Sequence, residues 1–202
     1  MNTCSFFAEL AGSELRGPDG VFSGSFFADS RLVRKGDAFV AFRGDNTDGH
    51  AFIPDAIAHG ASLIICENDR DIPSTVASVR VSDTYKALPA MAEKQLARQG
   101  KKLHIIAITG SVGKTTTRDY LVRCLKTSLR VHSAEHSYNT LIGCSMTILS
   151  LPEDAEVLVL EMGTNHPGEI AEMVRFFPPT ISVVTEVAPA HLEGFGSVEG
   201  VL

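Results

Sequence analysis

The segment Thr109-Gly110-Ser111-Val112-Gly113-Lys114-Thr115-Thr116 has the residue types of a phosphate cradle. Its glycines let the backbone curl, so that successive N–H groups face one point. A helix starting at Lys114 adds roughly half a positive charge at its N-terminus. A lysine here reaches outer phosphates, and the Thr115 hydroxyl suits Mg²⁺. The spacing departs from the common GxxxxGK[ST] form, because Ile108 stands five residues before Gly113 and the extra glycine is Gly110. A strand before the turn and a helix after it favour nucleoside triphosphate binding over a chance Gly-Lys-Thr.

A second set of polar residues falls at other strand ends. Glu161 closes the apolar run Val157-Leu158-Val159-Leu160 and can reach a metal beside the phosphate loop, as strand-end acids do in other phosphate-loop enzymes. Thr164-Asn165-His166-Pro167 lies between Gly163 and Gly168, and Glu169 reads first as the opening acid of the next helix. Asn139 either contacts a phosphate or caps a helix. His191 follows the turn Ala188-Pro189-Ala190 and has an imidazole able to bind a divalent cation or a substrate oxygen, though a loop histidine is more often a surface residue. His132 and His136 are four apart but sit in a strand-to-loop region with no third ligand nearby, so they predict no metal site.

These residues need a framework of short apolar runs alternating with helical stretches, which predicts an α/β fold. In the first part the strands fall at Ser25–Ala28, Ala38–Phe42, Leu63–Cys66 and Val79–Val81, with a helix over Ala51–His59. Asp83 is positioned as N-cap of a helix from Thr84 to about Arg98, which Pro89 should kink or shift at its start. The polar run Gln99-Gly100-Lys101-Lys102 marks the expected boundary between domains at 1–100 and 101–202. The second domain begins with the strand Leu103–Ile108, and its helix covers Lys114–Thr127. Further strands are expected at Leu129–His132, Val157–Glu161 and Ile181–Thr185, and helices near Cys144–Leu149 and Gly168–Phe176. Apolar strands separated by helices predict a mostly parallel sheet covered on both faces, with ligands at the carboxyl ends of its strands.

Composition limits the function classes. The 202 residues are 44% hydrophobic and 21% charged, a globular balance that excludes wholesale disorder. Eighteen Lys+Arg against 24 Asp+Glu give a net charge of −6, which argues against a nucleic-acid partner. No apolar run approaches the roughly 20 residues of a membrane span, and MNTCSFFAEL lacks the pattern of a signal peptide. Cysteines 4, 66, 124 and 144 form no CxxC pair. Cys66 and Cys124 read as small buried hydrophobes, and a reducing cytoplasm is the expected location.

Taken in order, TGSVGKTTT, EMGTNHPGEI and AHLEGFGS resemble the central ATPase domain of the Mur ligases. Upstream, Asp29-Ser30-Arg31, Gly36-Asp37-Ala38-Phe39-Val40-Ala41, Gly44, Asp48-Gly49-His50, Phe52 and Gly60-Ala61 resemble the uridine-nucleotide domain of the MurE and MurF types. The EMG…GEI and AHLEGFGS segments favour the MurF type. The resemblance runs from about Phe26 onward. It implies a small α/β uridine-nucleotide-binding domain, followed by a phosphate-loop ATPase domain with a mostly parallel sheet.

The implied activity is ATP-dependent joining of D-alanyl-D-alanine to UDP-N-acetylmuramoyl-tripeptide through an acyl phosphate, in peptidoglycan precursor synthesis. Lys114 is then a catalytic residue, and Thr109–Thr116 with Asn139 bind ATP and its phosphates. Thr115 and Glu161 serve Mg²⁺, and His191 serves a second Mg²⁺ near the acyl phosphate. Ser30 and Arg31, with Asp48 and His50, belong to the uridine-diphosphate site. A monomer is expected, as is usual for the family. Two departures are Asn139-Thr140-Leu141 where the family often has two asparagines and a polar residue, and Thr185-Glu186-Val187 where it commonly has TNV. A Glu186 side chain near phosphate would repel it unless it points away. The family also continues past the position of Leu202 with a lysine-bearing helix and a further domain. The 202-residue chain is therefore expected to be inactive alone. The alternatives are a non-catalytic nucleotide-binding module derived from the family, or a sibling ligase of the MurE type.

Overall fold

A computed structural model describes residues 2–45, 47–99, 102–134 and 137–188. The chain divides into two compact units, Met1–Gln95 and Leu96–Leu202.

The first unit is built on a five-stranded sheet. Helix α1 (Cys4–Ala11) precedes β1 (Leu15–Arg16), β2 (Phe26–Phe27) and β3 (Ala38–Val40). A 3₁₀ turn (Gly49–Phe52) leads into α2 (Ile53–Ala58), then β4 (Leu63–Cys66) and β5 (Ala77–Arg80). The strand order is β1-β5-β4-β3-β2, and every pair is parallel except β1 with β5. All four β4 residues are buried, as an apolar run in a parallel sheet requires. Phe7 packs edge-on against Phe22 and Phe26 at ring separations of 4.9 and 5.0 Å, which fixes α1 on the sheet. Sequence patterning did not anticipate α1 or β1. Thr3 caps α1 by accepting the Phe6 N–H, and Gly12 ends it in the left-handed region.

Helix α3 (Thr84–Gln99) starts where Asp83 was expected to cap it, with the carboxylate accepting from the Lys86 N–H at 3.1 Å. Pro89 neither moves the start nor interrupts the helix. The ring removes the donor for the Tyr85 carbonyl one turn back.

The second unit contains β6 (His104–Thr109), α4 (Lys114–Leu125), β7 (Val131–Ser133), α5 (Leu141–Leu149), β8 (Val157–Glu161), α6 (Glu169–Phe176) and β9 (Ile181–Val184). Its sheet has the order β7-β8-β6-β9 and is parallel throughout. Ile106, Ile108, Val157 and Val159 alternate onto one face and form a core with Val122 of α4. The molecule is therefore α/β with mostly parallel sheets. One expectation fails on α4. Its buried residues are Arg118 and Val122, and Cys124 is exposed because two residues beyond Val122 turn it to the opposite side. Among the described residues, no helix is long and apolar enough to cross a membrane.

Candidate phosphate and metal site

The strand order places a crevice where the connections diverge. The chain leaves β6 for the far edge at β7, returns to β8 on one side of β6, and then crosses to β9 on the other. Ligands bind at such a switch point, outside the carboxyl ends of the strands. The loop 110–113 occupies this position between β6 and α4. Ile108 pairs in register with Glu161, and Thr109 with Val184, so both neighbouring strands end beside the loop.

Two positive-φ glycines shape the turn. Gly113 caps α4 at φ 88°, and Gly110 has φ 133°. At Gly110 a Cβ would lie 2.2 Å from the Thr185 hydroxyl oxygen, so the segment after β9 approaches the loop too closely for any side chain. Thr185 in turn donates its hydroxyl to the Thr109 carbonyl at 3.1 Å. The Glu186 carbonyl accepts the Ser111 N–H at 2.8 Å and the Val112 N–H at 3.4 Å. The Ser111 hydroxyl donates to the Ala188 carbonyl at 3.0 Å. The loop's leading half is thus tied to the segment after β9. Its trailing half opens α4, where the first-turn N–H groups of Lys114, Thr115 and Thr116 have no intrahelical acceptor. These amides and the helix dipole form an anion-binding end. The Lys114 ammonium lies against the loop, donating to the Gly110 carbonyl at 2.6 Å and reaching the Ser111 carbonyl at 3.4 Å.

Glu161 stands beside Thr115. The Thr115 hydroxyl donates to Glu161 Oε2 at 3.0 Å, the Arg118 guanidinium lies 3.4 Å from the same oxygen, and Asn139 Nδ2 reaches Oε1 at 3.5 Å. The Glu161 side chain is only 3% exposed and that of Arg118 7%, so the charges meet largely out of water. Thr115, Arg118 and Val122 share the inward face of α4 by their 3- and 4-residue spacing. Sequence reasoning passed over Arg118, although its spacing from Thr115 was the available signal. Asn139 does not cap α5, because Thr140 does so by accepting from the Gly143 N–H. Asn139 also presses on Gly163, where a Cβ would sit 2.8 Å from its Nδ2. Cys144 lies behind, its thiol donating to the Glu161 carbonyl at 3.4 Å. Burial, with the Glu161 charge adding, pushes that thiol up to about 12, so it is an inert packing group.

A cavity of about 270 Å³ opens beside the loop, lined among others by Lys114, Asn139, Thr164, Asn165, Glu169 and Glu172. Glu169 braces its wall, accepting from the Asn165 N–H at 2.7 Å, the Thr164 hydroxyl at 3.0 Å and the His166 N–H at 3.2 Å. These donors, led by Asn165, hold the Glu169 carboxyl below the ordinary carboxylate range. Glu169 is therefore both the first acid of α6 and the organiser of the 164–168 loop.

The Thr115–Glu161 pair fits a hard cation. It offers a hydroxyl and a carboxylate oxygen 3.0 Å apart, the donor type Mg²⁺ takes. No cluster of three metal-binding side chains occurs among the described residues. His132 is occupied by the Thr147 carbonyl at 2.9 Å. His136 and His191 lie outside the described residues.

In the first unit the four uridine-site candidates follow β2 and β3. Ser30 is buried, and its carbonyl pairs with the His59 ring at 2.9 Å. Arg31 is exposed, and its guanidinium grips Asp29 at 2.6 and 2.9 Å, which lowers the Asp29 carboxyl to about 2. Asp48 caps the 3₁₀ turn through the His50 N–H at 2.9 Å and meets the His50 ring at 2.6 Å. The other ring nitrogen of His50 accepts the Glu67 N–H at 2.9 Å, so its tautomer is fixed and both nitrogens are engaged. No hydrogen bond joins the Ser30–Arg31 turn to the Asp48–His50 turn among the described residues. His50 lines a separate cavity of about 420 Å³ with Ile53, Ile57, Asn68, Asp71 and Ile72.

Parallel strands, a glycine loop opening a helix and a strand-end acid on the loop's threonine define a phosphate-loop α/β protein. Two family models match the chain, the Mur ligase middle domain over residues 108–202 and the Mur ligase family catalytic domain over residues 26–108. The chain belongs to the Mur ligase family. It is 37% identical over 171 residues to the UDP-N-acetylmuramoyl-tripeptide–D-alanyl-D-alanine ligase of Rickettsia prowazekii, covering 85% of this chain and 37% of that protein. It is 34% identical over 201 residues to the ligase of the same name from Escherichia coli, covering 98% of this chain and 43% of that protein. A crystal structure of MurF from Acinetobacter baumannii superposes with a TM-score of 0.81 at 29% identity, covering 98% of this chain and 43% of that one. The MurF ligase of Thermotoga maritima in complex with ADP gives 0.69 at 35% identity, covering 89% of this chain and 41% of that one. The chain thus spans about two fifths of the length of these relatives.

Proposed function

We propose that this sequence carries the first-substrate and phosphate-binding parts of an ATP-dependent ligase of the MurF type. That ligase joins D-alanyl-D-alanine to UDP-N-acetylmuramoyl-tripeptide in peptidoglycan precursor synthesis. The observation that carries the reading is the phosphate loop with its Thr115 hydroxyl on Glu161 at 3.0 Å, in a chain of this family. Residues 1–100 then serve the uridine nucleotide, through Ser30, Arg31, Asp48 and His50, and 101–202 serve ATP.

In this reading the loop 109–116 cradles the phosphates with its amides. Lys114 leaves the loop carbonyls to neutralise charge on the γ-phosphoryl group as it passes to the substrate carboxylate and ADP departs. The D-alanyl-D-alanine amine then attacks the acyl carbon, loses a proton and expels phosphate. Thr115 and Glu161 would hold Mg²⁺, which when bound spreads the phosphate charge. Asn139 keeps Glu161 aimed, and the cavity beside Lys114 takes the reacting end of the peptide. His191 is assigned a second Mg²⁺ on family resemblance alone. The setting is the cytoplasm, and the enzyme is a monomer.

The test is ADP release by the complete polypeptide carrying this sequence, with ATP and UDP-N-acetylmuramoyl-tripeptide. Release that requires D-alanyl-D-alanine is expected. Release that requires another amino acid, or a folate, overturns the assignment.

A further inference from the structure

The Glu161 carboxylate presents one oxygen, Oε2, to two groups of opposite consequence. The Thr115 hydroxyl, 3.0 Å away, is a partner that a cation would share. The Arg118 guanidinium, 3.4 Å away, is a positive charge that a cation must face. Arg118 is held there from its other side, where its Nε and Nη2 donate to Asp119 Oδ1 at 3.0 and 2.9 Å. Both members of the Arg118–Glu161 pair are nearly dry, whereas the Asp119 side chain is 54% exposed. A guanidinium is a planar cation suited to pairing with a carboxylate.

We propose that Arg118 is a positioning residue whose charge competes with a divalent cation for Glu161 and makes cation entry conditional on nucleotide. The inference rests on the phosphate-loop reading above. With the loop free of phosphate, a divalent cation at Thr115 and Glu161 gains one carboxylate but is repelled by a cation on the same oxygen. When nucleotide phosphates sit on the α4 amides, their negative charge outweighs Arg118, and cation and nucleotide enter together. Arg118 also spares Glu161 the cost of an unpaired buried charge while the site waits. A purely structural role for Arg118 predicts only loss of binding on its removal; the counter-ion role predicts a gain.

The experiment is Mn²⁺ binding followed by electron paramagnetic resonance, with and without ADP. The unsubstituted complete polypeptide carrying this sequence should bind Mn²⁺ weakly alone and tightly with ADP. Arg118→Gln keeps a hydrogen-bond donor but removes the charge. It should tighten nucleotide-free Mn²⁺ binding by about tenfold, the scale of one close unit charge discounted for solvent. Arg118→Lys keeps the charge and should stay within about threefold of the unsubstituted chain. A Gln variant that is folded by circular dichroism and binds nucleotide-free Mn²⁺ no more tightly overturns the proposal.

Should Arg118→Gln fail to fold, Asp119→Asn carries the test from the exposed side. Removing that acid takes one negative charge from beside the guanidinium, so Mn²⁺ binding with ADP should weaken by about threefold. Unchanged or tighter binding overturns the proposal. If the unsubstituted complete polypeptide binds no Mn²⁺ with ADP, the phosphate-site reading itself falls, and the inference with it.

Discussion

Gly110→Ala tests how the phosphate loop is held. The backbone there has φ 133°, and the added methyl would meet Thr185 Oγ1 at 2.2 Å, the Thr185 nitrogen at 3.1 Å and the Glu186 carbonyl at 3.2 Å. Adopting this conformation without glycine costs about 2 kcal/mol. Relieving the closest contact requires the Thr185 side chain to turn, which forfeits its hydrogen bond to the Thr109 carbonyl, worth about 1 kcal/mol. The substitution should therefore destabilise the second unit by about 3 kcal/mol, close to a hundredfold in its opening equilibrium. Hydrogen exchange of amides in β6 and β8 reads that unit directly, without contribution from the first. In a Thr185→Ala background the steric part has no oxygen to act on, and the increment should fall to about 2 kcal/mol. A cost below about 1 kcal/mol, or one identical with and without the Thr185 hydroxyl, would refute the close-approach argument. ATP affinity should fall in parallel, because the loop amides lose their alignment.

Three further outcomes are expected. Lys114→Ala should lower turnover of the complete ligase by about a hundredfold or more in steady-state assays, because a charge on the transferring phosphoryl group is lost; near-normal turnover would place Lys114 outside the site. His50→Ala should destabilise the first unit by about 1–2 kcal/mol in hydrogen exchange of β4, since the Glu67 N–H loses its acceptor; an unchanged exchange rate would contradict that role. Glu169 has a folded-state pKa depressed below its unfolded value, so its bracing of the 164–168 loop is complete above the ordinary carboxylate range and lost as pH falls through the folded value. Exchange in that loop should rise on acidification in the unsubstituted chain, and Glu169→Gln should flatten this dependence; the same slope in both would rule out Glu169 as its source.

The amino-acid sequence alone determined the parts that depend on local pattern. The runs Leu63–Cys66 and Val157–Glu161 form strands with the expected limits, because uninterrupted apolar stretches of that length are stable only when buried on both faces. The loop-to-helix transition at Lys114 was equally legible, since glycines and a helix start leave a local signature. Helix α1 was not, because eight residues carry little periodicity and its stability comes from Phe7 packing on Phe22 and Phe26, whose neighbourhood no local window contains. Tertiary structure alone decided what each polar side chain faces. It turned Cys124 outward, buried Arg118 against Glu161, and brought Thr185 across 75 residues of chain onto Gly110. It also engaged His50 between Asp48 of its own turn and the Glu67 N–H beyond β4, and the guanidinium of Arg31 with Asp29 of its own turn. Hydrophobic pattern fixes which elements form. Charge pairing and close approach depend on distances that exist only once the strands are in register.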